Sequence, residues 1–182
     1  MNELDAKDVL NRYMDGKDNV KPDVLEASFS DDGIVTFEIN TPNISFPDEI
    51  VGNKRISEVM FGDFHELFGQ VKSYYLDQNF SQLNECKVVD QHWLVSMREK
   101  ASGNTRIGSG TYNWLFEQQN QTWVIKRVHI VIDHMVSFEE NSGWLDRLQA
   151  ELSDYPWAEK PTMMGLISSQ PELSNILEYL KR

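Results

Sequence analysis

The chain has 182 residues, of which 40% are hydrophobic and 11% aromatic, and its formal net charge is −12. This length and apolar content predict one folded domain with room for an appendage, and they exclude disorder over most of the chain. The acidic balance supplies no basic footprint for nucleic acid and no polybasic patch for a membrane surface, so neither partner is expected.

The compartment is predicted from what the sequence lacks. The amino-terminal stretch shows no apolar segment of signal-peptide type, and no run of residues is apolar and long enough to span a bilayer. The single cysteine, Cys86, excludes an intrachain disulfide and suits a reducing compartment. A cytoplasmic protein is therefore expected.

The first predicted element is an amphipathic helix. Asp5 is a candidate N-cap, and Val9, Tyr13 and Met14 are spaced so that they share one apolar face. A second, short helix follows, because Pro22 suits the first turn of a helix.

A turn, a strand and a third helix come next. The Asp-Asp-Gly sequence at 31–33 is typical of a turn, and the β-branched and aromatic residues of 33–39 predict a strand. A third helix is predicted to begin at Asn53 and to end at Gly69, because apolar residues recur between them at i, i+3 and i+4 spacing.

From residue 71 the hydrophobic period becomes that of strands. Four strands are predicted, at 71–80, 86–99, 105–118 and 122–135. Helices followed by an antiparallel meander make an α+β fold. Long twisted strands curl, so the sheet is expected to form a cone around the N-terminal helices.

The last part of the chain differs in character. Residues 1–136 form the predicted cone domain, and residues 137–182 form a C-terminal helical extension. Helices are predicted at 143–152 and 171–181, separated by Pro156 and Pro161. The extension is expected to pack on the domain or on a partner subunit.

Three phrases in this order resemble the nuclear transport factor 2-like superfamily, which includes SnoaL-like polyketide cyclases, ketosteroid isomerases and scytalone dehydratases. They are VLEASFSDDGIVTFE at 24–38, GNKRISEVM at 52–60 and TYNWLFEQQNQTWVIKRVHIVID at 111–133. The resemblance covers residues 5–135 and implies a cone with an enclosed pocket and a homodimer. It leaves the activity open, because the superfamily hosts enzymes, carriers and assembly modules.

The final hairpin carries the predicted pocket. With a two-residue turn, even-numbered side chains of its first strand share a face with odd-numbered side chains of its second. This face contains Gly108, Gly110, Tyr112, Trp114, Phe116, Trp123, Ile125, Arg127, His129, Val131 and Asp133. The two glycines would leave space beside His129 and Asp133, as a ligand pocket needs. A three-residue turn would instead place Ile107, Ser109, Thr111, Asn113 and Leu115 there.

His129 and Asp133 are the first candidates for acid/base chemistry, because imidazole titrates near neutral pH and a carboxylate in apolar surroundings transfers protons readily. The alternatives are a hydrogen-bonded core histidine and a rim aspartate paired with Arg106 or Arg127. Four residues along a strand separate the two side chains by about 13 Å, so catalysis needs a partner from another element.

The predicted partner comes from the strand at 71–80. Tyr75 is the third catalytic candidate, as a donor to a developing oxyanion. The resemblance implies a His-x-x-x-Asn phrase in this strand, where the chain has Tyr75 and Asn79, which removes a histidine base. The predicted ligand-binding residues are Tyr13, His65, Asp77, Asn79, Gly108, Gly110, Tyr112 and Arg127.

Three functions follow from these residues and the resemblance. The first is a protein that binds a small apolar or aromatic ligand. The second is a metal-free cyclase, dehydratase or isomerase, thus a lyase or isomerase, acting on an apolar cyclic substrate. The third is a dimeric interaction module. Scattered histidines and a Gly-Ser-Gly inside a strand favour neither a metal nor a nucleotide, so no cofactor is expected.

Overall fold

The computed structural model describes residues 1–62, 64–76, 78 and 80–181. One mixed sheet has the strand order β2-β1-β6-β5-β4-β3. Its strands are β1 Phe29–Ile39, β2 Glu49–Val51, β3 Phe68–Tyr75, β4 Lys87–Glu99, β5 Thr105–Gln119 and β6 Thr122–Phe138. Neighbouring strands are antiparallel except β1 and β6, which are parallel. The predicted α+β fold is confirmed, and within the described residues the edge strands β2 and β3 do not pair, so the sheet is open.

Helix α1, Glu3–Asp18, begins one turn earlier than predicted. Asn2 is its N-cap, because the Asn2 side chain accepts a hydrogen bond from the backbone of Asp5 at 2.9 Å. The Asp5 carboxylate accepts one in return from the backbone of Asn2, which completes a capping box. Tyr13 and Met14 are buried on the apolar face, as their spacing predicts.

Helix α2, Pro22–Glu26, has its proline in the first turn as predicted, but the predicted turn at 31–33 lies inside β1. The pairing of β1 with β6 is irregular between Phe29 and Ile34, so the chain bulges there without leaving the sheet. A Cβ built on Gly33 would lie only 2.9 Å from the Ser30 carbonyl oxygen, so glycine permits this bulge.

The predicted third helix is divided. Helix α3 covers Asn53–Phe61, with Gly52 as its N-cap, and helix α4 covers Phe64–Leu67. Strand β3 then starts at Phe68, so the prediction that one helix continues to Gly69 is wrong. Phe64 of α4 and Phe68 of β3 both pack in the same apolar core. Their spacing of four residues therefore looks helical in the sequence, although they belong to two different elements.

The C-terminal extension contains helices α5 Trp144–Glu151, α6 Lys160–Ile167 and α7 Ser174–Leu180. Helix α6 was not predicted. Pro161 lies in its first turn, where proline is compatible with a helix. The sequence-based prediction instead places Pro161 in a non-helical segment between two helices.

The sheet separates two apolar cores. On one face, β4, β5 and β6 pack against the N-terminal helices, with Tyr13 and Trp114 among the buried residues. On the other face, Leu94 and Ile107 pack against the extension, where Leu148 is 1% exposed. None of the described helices is both long and apolar enough to cross a membrane.

Leu148→Ala tests this second core. Removing a fully packed leucine leaves a cavity, so we expect a loss of about 2–5 kcal/mol in the free energy of unfolding, measured by urea denaturation. Leu4→Ala is the matched control, because Leu4 is 75% exposed, and it should change stability by less than about 0.5 kcal/mol. Equal effects of the two variants would contradict the packing of the extension on the sheet.

Glu140 anchors the start of the extension. Burial acts to raise the pKa of Glu140, but backbone hydrogen bonds from Trp144, Ser142 and Leu145 and the Ser142 hydroxyl outweigh it and hold the pKa at about 2, against an ordinary value of 4.5. Because the pKa is lower in the folded chain, ionised Glu140 stabilises the fold above about pH 4.5, and this contribution disappears as the pH falls toward 2.

We therefore expect Glu140→Gln to reduce stability at neutral pH and to have little effect near pH 2. The measurement is urea denaturation across this range, with Glu139→Gln as the control, since Glu139 is an exposed neighbour. A stability difference between wild type and Glu140→Gln that is independent of pH would contradict the assignment.

Candidate functional site

The pairing of β5 with β6 decides which side chains face the interior. Phe116 pairs with Ile125, as a two-residue turn predicts. Beyond an irregularity in which Lys126 is the extra residue, Tyr112 pairs with Ile130. One extra residue moves the side chains that follow it to the opposite face, here as far as Ile132. A second irregularity between Ser109 and Gly110, with Asp133 as the extra residue, reverses the shift, so Met135 again faces the interior.

The prediction that His129 and Asp133 share the interior face with Tyr112 is consequently wrong. The His129 ring nitrogen Nδ1 lies 2.9 Å from the Thr36 hydroxyl, and the His129 side chain is 36% exposed. The Asp133 carboxylate accepts a hydrogen bond from the Asn40 amide at 3.0 Å. The structure does not bring these two side chains to a common interior site.

Arg127, a predicted ligand-binding residue, is exposed on that same side of β6. The interior positions are instead occupied by Val128, Ile130 and Ile132, which are all buried. The bulge thus replaces a predicted polar wall with an apolar one.

Gly108 and Gly110 are buried, but the space beside them is filled, contrary to prediction. A Cβ on Gly108 would lie 2.6 Å from Cε of Met135. One on Gly110 would lie 1.9 Å from the Val131 carbonyl oxygen and 3.0 Å from the Trp93 ring. The glycines therefore permit close packing of neighbouring groups and do not create a pocket.

Tyr75 lies in the interior, where its hydroxyl donates to the Leu10 carbonyl at 3.1 Å. Burial raises the pKa of Tyr75 well above its ordinary value, so the hydroxyl stays protonated. The proton of the Tyr75 hydroxyl is thus already donated to the backbone of α1. Asp77 and Asn79, the other candidates of this strand, lie outside the described residues.

A cavity of about 70 Å³ does lie between the N-terminal helices and the sheet. Its wall is largely apolar and includes Phe37, Phe46, Met60, Val95, Ile130 and Ile132. Tyr13 and Tyr112, two of the predicted ligand-binding residues, both line it. The volume corresponds to about two water molecules.

Two side chains that line this cavity each carry a hydrogen-bond donor that is buried and has no partner among the residues that the structure describes. These donors are the Tyr13 hydroxyl and the indole Nε1 of Trp93. Burial raises the pKa of Tyr13, and a hydrogen bond that the Tyr112 hydroxyl donates to the Tyr13 oxygen opposes this rise. This bond uses the Tyr13 oxygen and leaves the Tyr13 proton without an acceptor among the described residues.

A charged cluster lies at one side of the cavity. Lys17 and Ser73 line the wall, and the Lys17 ammonium donates to the Asp18 carboxylate and, at 2.7 Å, to the Ser73 hydroxyl. The Asp18 side chain is only 1% exposed. It also accepts hydrogen bonds from the backbone and the hydroxyl of Ser73. A buried carboxylate with this many donors is fixed in position.

His65 was predicted to lie at the mouth of the pocket. Its Nε2 donates to the Lys17 carbonyl at 3.0 Å, so it supports the end of α1. Burial lowers the pKa of His65, which favours the neutral ring.

Lys17, Asp18, Ser73 and Trp93 were missed by the sequence-based prediction. For two of them, the spacing in the sequence could have indicated a position at the interior face. Lys17 follows Tyr13 by four residues and therefore shares its helix face. Trp93 alternates with Val95 along β4, which indicates a common interior face. Among the described residues, no three His, Cys, Asp or Glu side chains form a possible metal site.

Comparison with known proteins supports the fold. No family model and no curated protein matches the chain. A hexachlorocyclohexane dehydrochlorinase, LinA type 2, superposes with a TM-score of 0.61 at 13% identity, over 76% of this chain and 89% of that one. An NTF2-like superfamily protein from Salmonella enterica has a TM-score of 0.57 at 13% identity, over 78% and 94%.

A third match is a cystatin-like protein of unknown function from Nostoc punctiforme, with a TM-score of 0.50 at 12% identity, over 71% of this chain and 90% of that one. The predicted resemblance to the nuclear transport factor 2-like superfamily is thereby confirmed as a likeness of fold. At such low identities the likeness defines the class of architecture and does not extend to an activity.

The Asp18 cluster yields a testable stability difference. Asp18→Ala leaves the Lys17 ammonium without its buried partner, so we expect a loss of about 3–5 kcal/mol in urea denaturation. Asp15→Ala is the control, because the ion pair of Asp15 with Lys21 is about half-exposed and should contribute less than about 1 kcal/mol. Similar losses would show that the Asp18 ion pair is no more buried than the surface pair.

Proposed function

We propose that the chain binds a small, uncharged, mostly apolar molecule with one or two acceptor oxygens in the cavity between Tyr13 and Trp93. The observation that carries this proposal is the pair of buried donors, on side chains of a largely apolar wall, that have no partner among the described residues. Leaving a buried donor unpaired costs about 1–3 kcal/mol, which a ligand oxygen would recover. A ketone, an ester or a phenol supplies such an oxygen.

The charge of the cavity supports an uncharged ligand. Lys17 and Asp18 form an ion pair, so their charges cancel at the wall. An ionised ligand would enter a low-dielectric space without a counter-charge of its own, which is costly.

The size of the cavity limits the ligand that it accepts as it stands. A cavity of about 150 Å³ holds benzene, roughly twice the volume of this one. Ile44 and Phe46, from the segment between β1 and β2, line the cavity, and Phe46 stacks on Phe37 with ring centroids 4.6 Å apart. A ring-sized ligand therefore requires this segment to move. Among proteins of this fold, one is named for a cyclic chlorinated substrate.

Catalysis by His129, Asp133 and Tyr75 is not included in this proposal. These three side chains point to different parts of the molecule, whereas acid/base catalysis needs them around one substrate. The homodimer stays a prediction, as does the interaction module.

The test uses cyclohexanone as the probe and cyclohexane as its counterpart without an acceptor, with binding followed by tryptophan fluorescence and saturation-transfer NMR. We expect the ketone to bind more tightly. Tyr13→Phe and Trp93→Phe, which each delete one donor, should weaken ketone binding about two- to tenfold.

Trp123→Phe is the control, because Trp123 lies at the outer groove beside Asp8 and does not line the cavity. Equal binding of ketone and hydrocarbon, or unchanged affinity in both donor variants, would overturn the proposal.

A further inference from the structure

After α5 the extension returns along the edge of the sheet. Residues 155–158, the strap, run beside β3 at Tyr75. The Tyr75 N–H donates to the Pro156 carbonyl at 2.8 Å, and the Ala158 N–H donates to the Tyr75 carbonyl at 2.9 Å. The strap therefore pairs with an edge of β3 that faces away from β4.

The strap also reaches the N-terminal helix. The Trp157 indole donates to the Asn11 side chain of α1 at 2.8 Å, and its ring lies 4.8 Å from that of Tyr75. Tyr155 packs against both apolar cores, so it lies where the extension meets the interior.

Tyr155 reaches the charged cluster of the cavity. Its hydroxyl donates to Oδ2 of Asp18 at 3.1 Å. The Met14 carbonyl is 3.4 Å away, a longer and weaker contact. Burial and the Asp18 carboxylate both raise the pKa of Tyr155, which keeps the hydroxyl protonated and donating.

We propose that Tyr155 is a positioning residue of the binding cavity: by donating to Asp18, the C-terminal extension holds the carboxylate that in turn holds the Lys17 ammonium at the cavity wall. The effect of Tyr155 on ligand binding rests on the function proposed above. The effect of Tyr155 on the positions of Asp18 and Lys17 rests on the hydrogen bonds alone.

The way in which the donors are divided between the two oxygens of the Asp18 carboxylate explains how Tyr155 acts on Lys17. Oδ1 of Asp18 accepts from Lys17 and from the Ser73 hydroxyl, whereas Oδ2 accepts from the Ser73 backbone and from Tyr155. Without Tyr155, Oδ2 keeps only the Ser73 backbone N–H, and the carboxylate is held by Ser73 and Lys17 alone, so its orientation is less firmly fixed. The Lys17 ammonium then has a partner that is held less tightly, so Lys17 is expected to be more accessible.

The experiment compares Tyr155→Phe with Trp157→Phe in the full chain. Tyr155→Phe removes the hydrogen bond to Asp18 and the weaker contact with Met14, and Trp157→Phe removes the hydrogen bond to Asn11. Both variants therefore loosen the strap from α1, but only Tyr155→Phe removes a donor from Asp18. The first readout is the rate at which acetic anhydride modifies Lys17, mapped by mass spectrometry and divided by the rate for the exposed Lys54.

We expect the Lys17 ratio to rise about two- to tenfold in Tyr155→Phe and to stay near the wild-type value in Trp157→Phe. Incorporation of 3,5-difluorotyrosine at position 155, which strengthens the donated bond and preserves the shape of the ring, should lower the ratio. This second replacement decides the question if Tyr155→Phe fails to fold. Ratios that are equal in wild type and in each folded Tyr155 replacement would overturn the proposal.

Cyclohexanone affinity is the second readout and should fall in Tyr155→Phe by a similar factor. If wild type itself does not bind the ketone, the proposed function fails, and the Lys17 ratio still decides whether Tyr155 positions the cluster. If wild type binds the ketone and the Lys17 ratio is the same in wild type and in the Tyr155 replacements, the positioning inference fails and the proposed function stands.

Discussion

The buried carboxylate of Asp18 is the constraint on which the arrangement of the site depends. A charge with almost no solvent contact must be surrounded by donors, since an unpaired buried charge is strongly destabilising. The donors come from three distant parts of the chain: Lys17 at the end of α1, Ser73 in β3 and Tyr155 in the extension. Satisfying one carboxylate therefore fixes how a helix, an edge strand and the C-terminal segment meet beside the cavity.

The sheet can hold this arrangement because both of its faces are covered where the three parts meet. Trp93 and Leu94 are neighbours in β4, yet one belongs to the core under the N-terminal helices and the other to the core under the extension. Strands buried on both faces resist local opening, because separating them exposes apolar surface on two sides. The part of the cavity wall that β4 contributes is therefore covered on both faces of the sheet.

Much of the fold could be predicted from local patterns, whereas the site could not. The Tyr13 and Met14 spacing and the long β5 and β6 patterns report burial that is decided within a few residues. The bulge at Lys126 depends on how two strands pair, which no single-strand pattern records, and it moved His129 from the predicted interior to the outer face. Asp18 was equally hidden, because Ser73 and Tyr155, the partners that bury it, are remote in sequence.

Under the proposed function, the stack of Phe46 on Phe37 gives the segment between β1 and β2 a role in the free energy of ligand binding. When a molecule enters only the open form, its measured dissociation constant is the intrinsic constant divided by the fraction of chains that are open. Each change that favours the closed stack weakens the apparent affinity for large ligands and leaves that for the smallest ones unchanged. Selection by size would then be set by a conformational equilibrium, independently of the contacts made inside the cavity.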